Sequence, residues 1–488
     1  MRLLCATLAL LALPAIANPI REYRQANEQQ ILGELVELLA IPNVASHDAN
    51  NDVNIRKNAQ HVMAMLEKRG IAARLLESPT GGPPAVFGEL RAPGAKRTIV
   101  MYAHYDGQPV AASDWKTDPW TPTFVPALKT PIDPETRIYA RSVSDDKGPI
   151  VAMLAALDAL RASGARPAVH LKFFFEGEEE AGSPHLGALL EKHQSLLAAD
   201  GWIFCDGPRH SSGAMQVVFG VRGTTGLTLT TFGPARTLHS GHYGNWAPNP
   251  ISLLIDLLAS MRDGAGNIRI AGYSDDVRPP TPTELAAASA LPNAEKELRQ
   301  SLAVAKPEGE PLPSRLLAPS VNFTGIRSGT VGIDAVNAIQ PEASASIDFR
   351  LVPNQTPERV RAIVEEHIRK QGFTIVPERP THEQRHTHAK LIQLSWNEGY
   401  AAARTSIDLP FSQSVLRVVE GATGAKPLVV PTFGGSLPLV LFEKTLQTPF
   451  AIVPVVNSDN NQHAANENLR VQNLWDAIEI YAAIYAEP

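Results

Sequence analysis

The sequence predicts an α/β protein in which a mostly parallel sheet domain is interrupted by a smaller α+β domain. Three observations predict it. Apolar runs of strand length alternate with helical patterns, the order of an α/β sandwich. In the middle of the chain the strands alternate polar and apolar, as half-solvated antiparallel strands do. Finally, 40 prolines and 34 glycines among 488 residues punctuate many short elements rather than a few long helices.

At the start of the chain, Arg2 leads a short apolar run that closes on Pro14-Ala15-Ile16-Ala17. This is the pattern of a signal peptide over 1–17 with an Ala-x-Ala cleavage site, and it predicts a periplasmic or secreted protein. The run is too short to span a membrane, and no other segment is long enough. From Ile20 to Arg69 the spacing is helical, with Ile31, Leu32, Leu35, Leu38 and Leu39 on one face and then Val62, Met65 and Leu66. Apolar strands come next at Thr98 to Ala103, Ala168 to Phe175, Trp202 to Cys205 and Phe450 to Val456, with helices at Ile150 to Leu160 and Ile251 to Met261. Alternating strands appear at Leu227 to Phe232 and Ala343 to Arg350, and a helix runs from Pro357 to Lys370. The stretch from Asp275 to Ser320 reads as an excursion with helical pieces, and the polar tract from Pro377 to Lys390 reads as a loop. A length prior of about three domains resolves into two: one split between 18–212 and 405–488, and one inserted over 213–404.

Composition removes other classes. With 44% hydrophobic and 19% charged residues the chain is neither disordered nor a coiled coil. A net charge of -6 offers no basic field to nucleic acid. The two cysteines, Cys5 and Cys205, are too few for a disulfide scaffold.

The residues at the end of each apolar run carry the chemistry. The first run ends in His104-Tyr105-Asp106, the second in Glu176-Gly177-Glu178-Glu179-Glu180 and the third in Asp206. The last run leads on to His463, and Asp145-Asp146 precedes a helix. Carboxyl ends of strands are where α/β sites form. Clustered carboxylates repel, and a pair of divalent cations about 3.5–4 Å apart relieves that repulsion while activating water and polarising a carbonyl. The donors are N and O without thiolate, which suits zinc, manganese or cobalt.

In its motifs the chain resembles the cocatalytic zinc peptidase family of carnosinases, cytosolic nonspecific dipeptidases, aminoacylases and glutamate carboxypeptidases. The matching stretches are Ala103-His104-Tyr105-Asp106, Ser144-Asp145-Asp146-Lys147-Gly148-Pro149, Glu179-Glu180-Ala181-Gly182-Ser183, Asp206, Leu238-His239-Ser240-Gly241, Arg350-Leu351-Val352-Pro353-Asn354, Gly434-Gly435-Ser436-Leu437-Pro438 and His463. They occur in the family's order over nearly all of the chain after the leader.

The resemblance implies a zinc-exopeptidase-like catalytic domain with a ferredoxin-like lid that also mediates a homodimer. It implies that His104, Asp145 and Asp206 hold one metal ion, and that Glu180, Asp145 and His463 hold the other. Asp106 would orient His104, and Glu179 would act as general base on a metal-bridging water. His239 would reach the partner subunit's site and stabilise the oxyanion. Arg350 would bind the substrate carboxylate, with Asn337, Gly434, Gly435 and Ser436 lining the same pocket. The expected reaction is hydrolysis of a peptide or amide bond next to a free carboxylate, with two metal ions, zinc foremost, as cofactors. Other readings stand beside these roles: Asp106 as a turn acid, His239 as a solvated loop histidine, Arg350 as a partner of Asp348, and the whole chain as a non-catalytic peptide-binding homologue.

Two departures from the family stand out, one in a loop and one bearing on substrate. Tyr139-Ala140-Arg141-Ser142 stands where the family often has Tyr-Gly-Arg-Gly. Phe433 stands where carnosinase-like dipeptidases have an acid that helps bind the substrate amine. The second leaves N-acyl amino acids open beside small peptides. His382-Glu383-Gln384-Arg385-His386 fits the single-zinc HExxH pattern, but its surroundings offer no apolar face for a buried catalytic helix, so it reads as a chance match.

Overall fold

The structure, a computed structural model, describes residues 13–45, 49–292, 295–305 and 311–487. Most of the predicted signal peptide, 1–12, lies outside them; a helix begins at Leu13 and runs to Leu39, and a second spans Ala49–Lys68.

The larger sheet has eight strands. Their spatial order is Ala72–Leu76, Ala85–Leu90, His170–Glu176, Thr98–His104, Gly201–Phe204, Phe450–Ile452, Gln216–Val218, Leu428–Val430. Its centre is parallel: Thr98–His104 pairs with both His170–Glu176 and Gly201–Phe204, and Phe450–Ile452 pairs with Gly201–Phe204. The strands toward Ala72–Leu76 are antiparallel. The central strands are buried on both faces, which is why they read as unbroken apolar runs. Successive residues serve different cores. Ile99, Met101 and Ala103 pack toward helices that include Gly148–Ala162 and Val471–Ala486, whereas Val100 and Tyr102 pack toward Leu186–Leu197 and Val440–Leu446.

The second sheet has five strands, in the order Ser320–Arg327, Glu342–Leu351, Gly223–Phe232, Leu391–Trp396, Thr374–Val376. Buried and half-buried residues alternate along Glu342–Leu351, and helices Pro250–Met261 and Pro357–Lys370 cover its apolar face. The fold class is therefore as expected, an α/β chain with a second, smaller α+β unit. The strand Gln216–Val218, inside the 213–404 segment, joins the larger sheet.

One expectation is corrected. The tract 377–390 is not all loop: His382–Thr387 is a short helix. Thr381 caps it by accepting the Gln384 N–H, while Gln384 accepts the Thr381 N–H in return. That reciprocal cap, Thr-x-x-Gln, is a helix-start signal. The HExxH residues are thus helical, but His382, Glu383 and His386 are all exposed, and no candidate metal-ligand group among the described residues includes them.

Candidate active site

The parallel strands deliver the site residues at their carboxyl ends. His104 closes Thr98–His104, and both it and Asp106 are fully buried. His104 Nε2 lies 2.8 Å from Asp145 Oδ1. Its Nδ1 faces the Asp106 carbonyl at 3.2 Å and the Asp106 carboxylate at 3.3 Å. Asp106 also does more than face the imidazole. Its two carboxylate oxygens accept the backbone N–H groups of Glu179 (3.1 Å) and Glu180 (2.9 Å). One buried acid thus fixes a histidine and the turn carrying two glutamates. At the start of that turn Gly177 is packed so tightly on Tyr105 that an added Cβ would fall 2.2 Å from the phenol oxygen.

Asp145 leads into the helix Gly148–Ala162. The adjacent Lys147 is buried, and its Nζ donates to the carbonyls of Leu38 (2.9 Å) and Ile41 (2.8 Å), anchoring this segment to the end of the first helix. Asp145 turns one oxygen to His104 and the other to His463, whose Nε2 is 3.2 Å away. The same Nε2 lies 3.2 Å from Glu180 Oε2, and Gln108 Nε2 donates to that oxygen at 2.7 Å.

Two trios of ligand atoms result, His104 with Glu179 and Asp206, and Asp145 with Glu180 and His463, each within 4.8 Å. The first trio differs from the expectation in holding Glu179 where Asp145 was placed. Asp145 nevertheless touches His104, so it adjoins both trios.

The electrostatics state the demand for cations. Burial, reinforced by the Asp145 charge, raises the Asp206 carboxyl to about 6 and the Glu180 carboxyl to about 8. Burial pushes Glu179 well above the usual carboxylate range. Asp145 is held low: burial opposes its charge, but the hydrogen bonds from His104 and His463 outweigh that. The Asp145 hydrogen bond in turn lifts His463 to about 9 against its burial. Protons are thus held where a metal ion would replace them. The donors are imidazole nitrogen and carboxylate oxygen only, and the two trios fit two divalent cations.

A cavity of about 490 Å³ opens over these groups, walled opposite by Tyr400, Phe433 and the Gly434-Gly435-Ser436 loop. Arg350 reaches this loop from the second sheet. Its Nη1 donates to Ser436 Oγ at 2.9 Å, while its Nε donates to Asp348 at 3.0 Å. His239 and Asn337 are not brought to the site. Both are exposed, on a short ribbon where Leu238–His239 pairs with Ala338–Ile339, and neither lines the cavity. His239 Nδ1 accepts the Gly241 N–H at 3.1 Å.

Sequence reasoning missed Gln108, Tyr400, Gln462, whose Nε2 donates to Asp145 Oδ2 at 3.4 Å, and Glu467, whose carboxylate accepts the Asp145 N–H at 3.1 Å. Gln108 continues the alternation of His104 and Asp106, and Gln462 precedes His463, so local signals existed for these two. Tyr400 and Glu467 carry none, since their partners are distant in sequence.

An α/β chain with two imidazole–carboxylate trios set side by side, one aspartate of the second touching the histidine of the first, defines a class, the dinuclear metal-dependent hydrolases. The model of Peptidase family M20/M25/M40 matches residues 100–487, and the chain belongs to that family; it is a metal-dependent peptidase. It is 27% identical over 436 residues to Cys-Gly metallodipeptidase dug1 of Schizosaccharomyces pombe, covering 87% of each chain. It is 26% identical over 495 residues to human Beta-Ala-His dipeptidase, covering 97% of this chain and 93% of that one. Among solved structures, the M20 family metallo-carboxypeptidase Sso-CP2 from Sulfolobus solfataricus superposes with a TM-score of 0.76 at 28% identity, covering 93% of this chain and 98% of that one.

Proposed function

We propose that the protein is a dipeptidase that cleaves the bond next to a free C-terminal carboxylate, using two divalent metal ions, zinc foremost. The observation that carries this reading is one cavity that joins the Asp145-linked trios to Ser436, a residue that Arg350 holds from behind the lining. The two dipeptidase relatives support small peptides as substrates. The cations, when bound, would polarise the scissile carbonyl and favour ionisation of water. His104, Asp145 and Asp206 would hold one, and Asp145, Glu180 and His463 the other.

Glu179 would take a proton from the attacking water as the C–O bond forms, and return it to the amine as the C–N bond breaks. Asp106 keeps Glu179 aimed by accepting its N–H. Arg350 and Ser436 would grip the substrate carboxylate, for which a guanidinium fork is suited, with Gly434 and Gly435 beside it. His239 would stabilise the oxyanion of a partner subunit's site. Its exposure supports this, as does the apolar surface nearby: Trp246 is 79% exposed and Ile333 100%, which favours a homodimer contact. The chain would divide into 18–212 plus 405–488 for catalysis and 213–404 for the lid. A periplasmic or extracellular location rests on the leader-like 1–17 alone; no helix among the described residues is long and apolar enough to cross a membrane.

Phe433 on the cavity wall supports a second reading, an N-acyl amino acid amidohydrolase, because no carboxylate stands there for a substrate amine. A panel of free dipeptides, C-terminally amidated dipeptides and N-acetyl amino acids separates the two. Hydrolysis of free dipeptides at least about tenfold faster than of both others is expected; a preference for N-acetyl amino acids would replace the reading, and equal cleavage of the amides would remove Arg350 as carboxylate ligand.

A further inference from the structure

We propose that Glu467 is a positioning residue that clamps the Asp145 loop to the His463 loop and so sets the geometry of the second metal site. The proposal rests on the dinuclear reading above.

The Glu467 carboxylate is fully buried and serves as the anchor of a loop running from Arg141 to Asp145. Its Oε1 accepts the Ser144 N–H (2.9 Å), the Ser144 hydroxyl (2.8 Å) and the Asp145 N–H (3.1 Å). Its Oε2 accepts the Ser142 N–H (2.9 Å) and the Arg141 Nη1 (2.9 Å). The Glu467 carbonyl accepts the Ala140 N–H as well, at 3.2 Å. Backbone N–H groups that converge on one anion form a nest, and here the anion is supplied by the chain itself. The Arg141 guanidinium is in turn fixed over the Trp115 ring at 5.1 Å.

The location of this carboxylate gives it its consequence. It stands four residues after His463, and it holds the main-chain nitrogen of Asp145. Those two residues face each other across 3.2 Å and belong to the same ligand trio. His463 is more than half exposed and has a positive φ of 63°, so packing of its own side chain does little to place it. The distance between the two ligands therefore depends on the link from loop to loop. The first trio's His104 and Asp206 follow parallel strands, so the first site depends on the clamp less than the second does.

Glutamine at 467 would keep the shape and break the clamp. An amide has one oxygen and one NH2 group. In either orientation the NH2 group meets donors: three on one side or two on the other. Groups that orient metal ligands typically change metal affinity by about 10–100-fold when altered. The test is a titration of the metal-free full chain with Zn2+ in chelator-buffered solution, reading bound equivalents. The wild type takes two equivalents. Glu467→Gln is expected to bind the second about 10–100-fold more weakly, with a smaller loss at the first, which shares Asp145 but draws its other ligands from strand ends. A folded variant that binds both as tightly as wild type would overturn the proposal. Should Glu467→Gln not fold, Ser144→Ala decides, because it removes a single hydroxyl donor and leaves the backbone nest. About fivefold weaker binding of the second equivalent supports the clamp, and unchanged binding overturns it. A wild-type chain that takes fewer than two equivalents overturns the dinuclear reading and the clamp together.

Discussion

The edge of the large sheet and the ribbon that carries His239 hold residues of similar chemistry in opposite surroundings. At the sheet edge His104, Asp106 and Asp145 are buried, and each touches at least one other site residue. On the ribbon His239 and Asn337 are exposed, and Trp246, Val331 and Ile333 nearby in the chain are apolar and equally open. The difference is one of completeness. The candidate metal-ligand cluster is assembled by a single chain, whereas the ribbon lies open, and the role proposed for it requires a second copy.

The largest expected effect lies at the sheet edge. Glu179→Gln should lower kcat by about 10³-fold, within the range for loss of a general base. Two metal equivalents should remain bound, measured by metal analysis beside the assay. Loss of metal instead would make Glu179 a ligand, as its place beside His104 and Asp206 also allows.

The ribbon should respond less strongly and in a different way. His239→Ala should lower kcat by about 10²-fold, the scale of one oxyanion donor, with metal content unchanged. Mixing it with Glu179→Gln should recover activity, because a mixed dimer then holds one site with both native groups. A mixture as inactive as its parents would confine His239 to its own chain or to no role.

The smallest effect is on stability and comes from the buried charges. In the metal-free protein, folding keeps protons on Asp206 up to about pH 6, on Glu180 up to about 8 and on His463 up to about 9. The unfolded chain releases them near the ordinary values, about 4 for the acids and about 6.5 for histidine. The folded state thus binds more protons, and stability should fall as pH rises from about 5 to about 9. Asp145, held low, acts in the opposite sense only in more acidic solution. Urea midpoints across this range should decline without metal and flatten with Zn2+. A midpoint that rises toward pH 9 without metal would contradict the charge distribution described.

Much of the large sheet was legible because its strands are buried on both faces, so each apolar run ends where the site begins. His104, Glu180 and Asp206 stood out for that reason. Arg350 was legible through the family resemblance, and the pairing with Asp348 weighed beside that role is present at 3.0 Å. Tyr400 and Glu467 were not legible. Their importance lies in partners far away in sequence, such as the Arg141 to Asp145 loop, 326 to 322 residues before Glu467. The short helix His382–Thr387 was legible from its capping box but was outweighed by the polarity of its surroundings.

The measurement that reaches the central claim most directly is hydrolysis of a free dipeptide by metal-free protein as Zn2+ is added one equivalent at a time. The account predicts no measurable activity without metal and a rate that saturates at two equivalents. Full activity with one equivalent, or with none, would contradict a site built from two trios joined through Asp145.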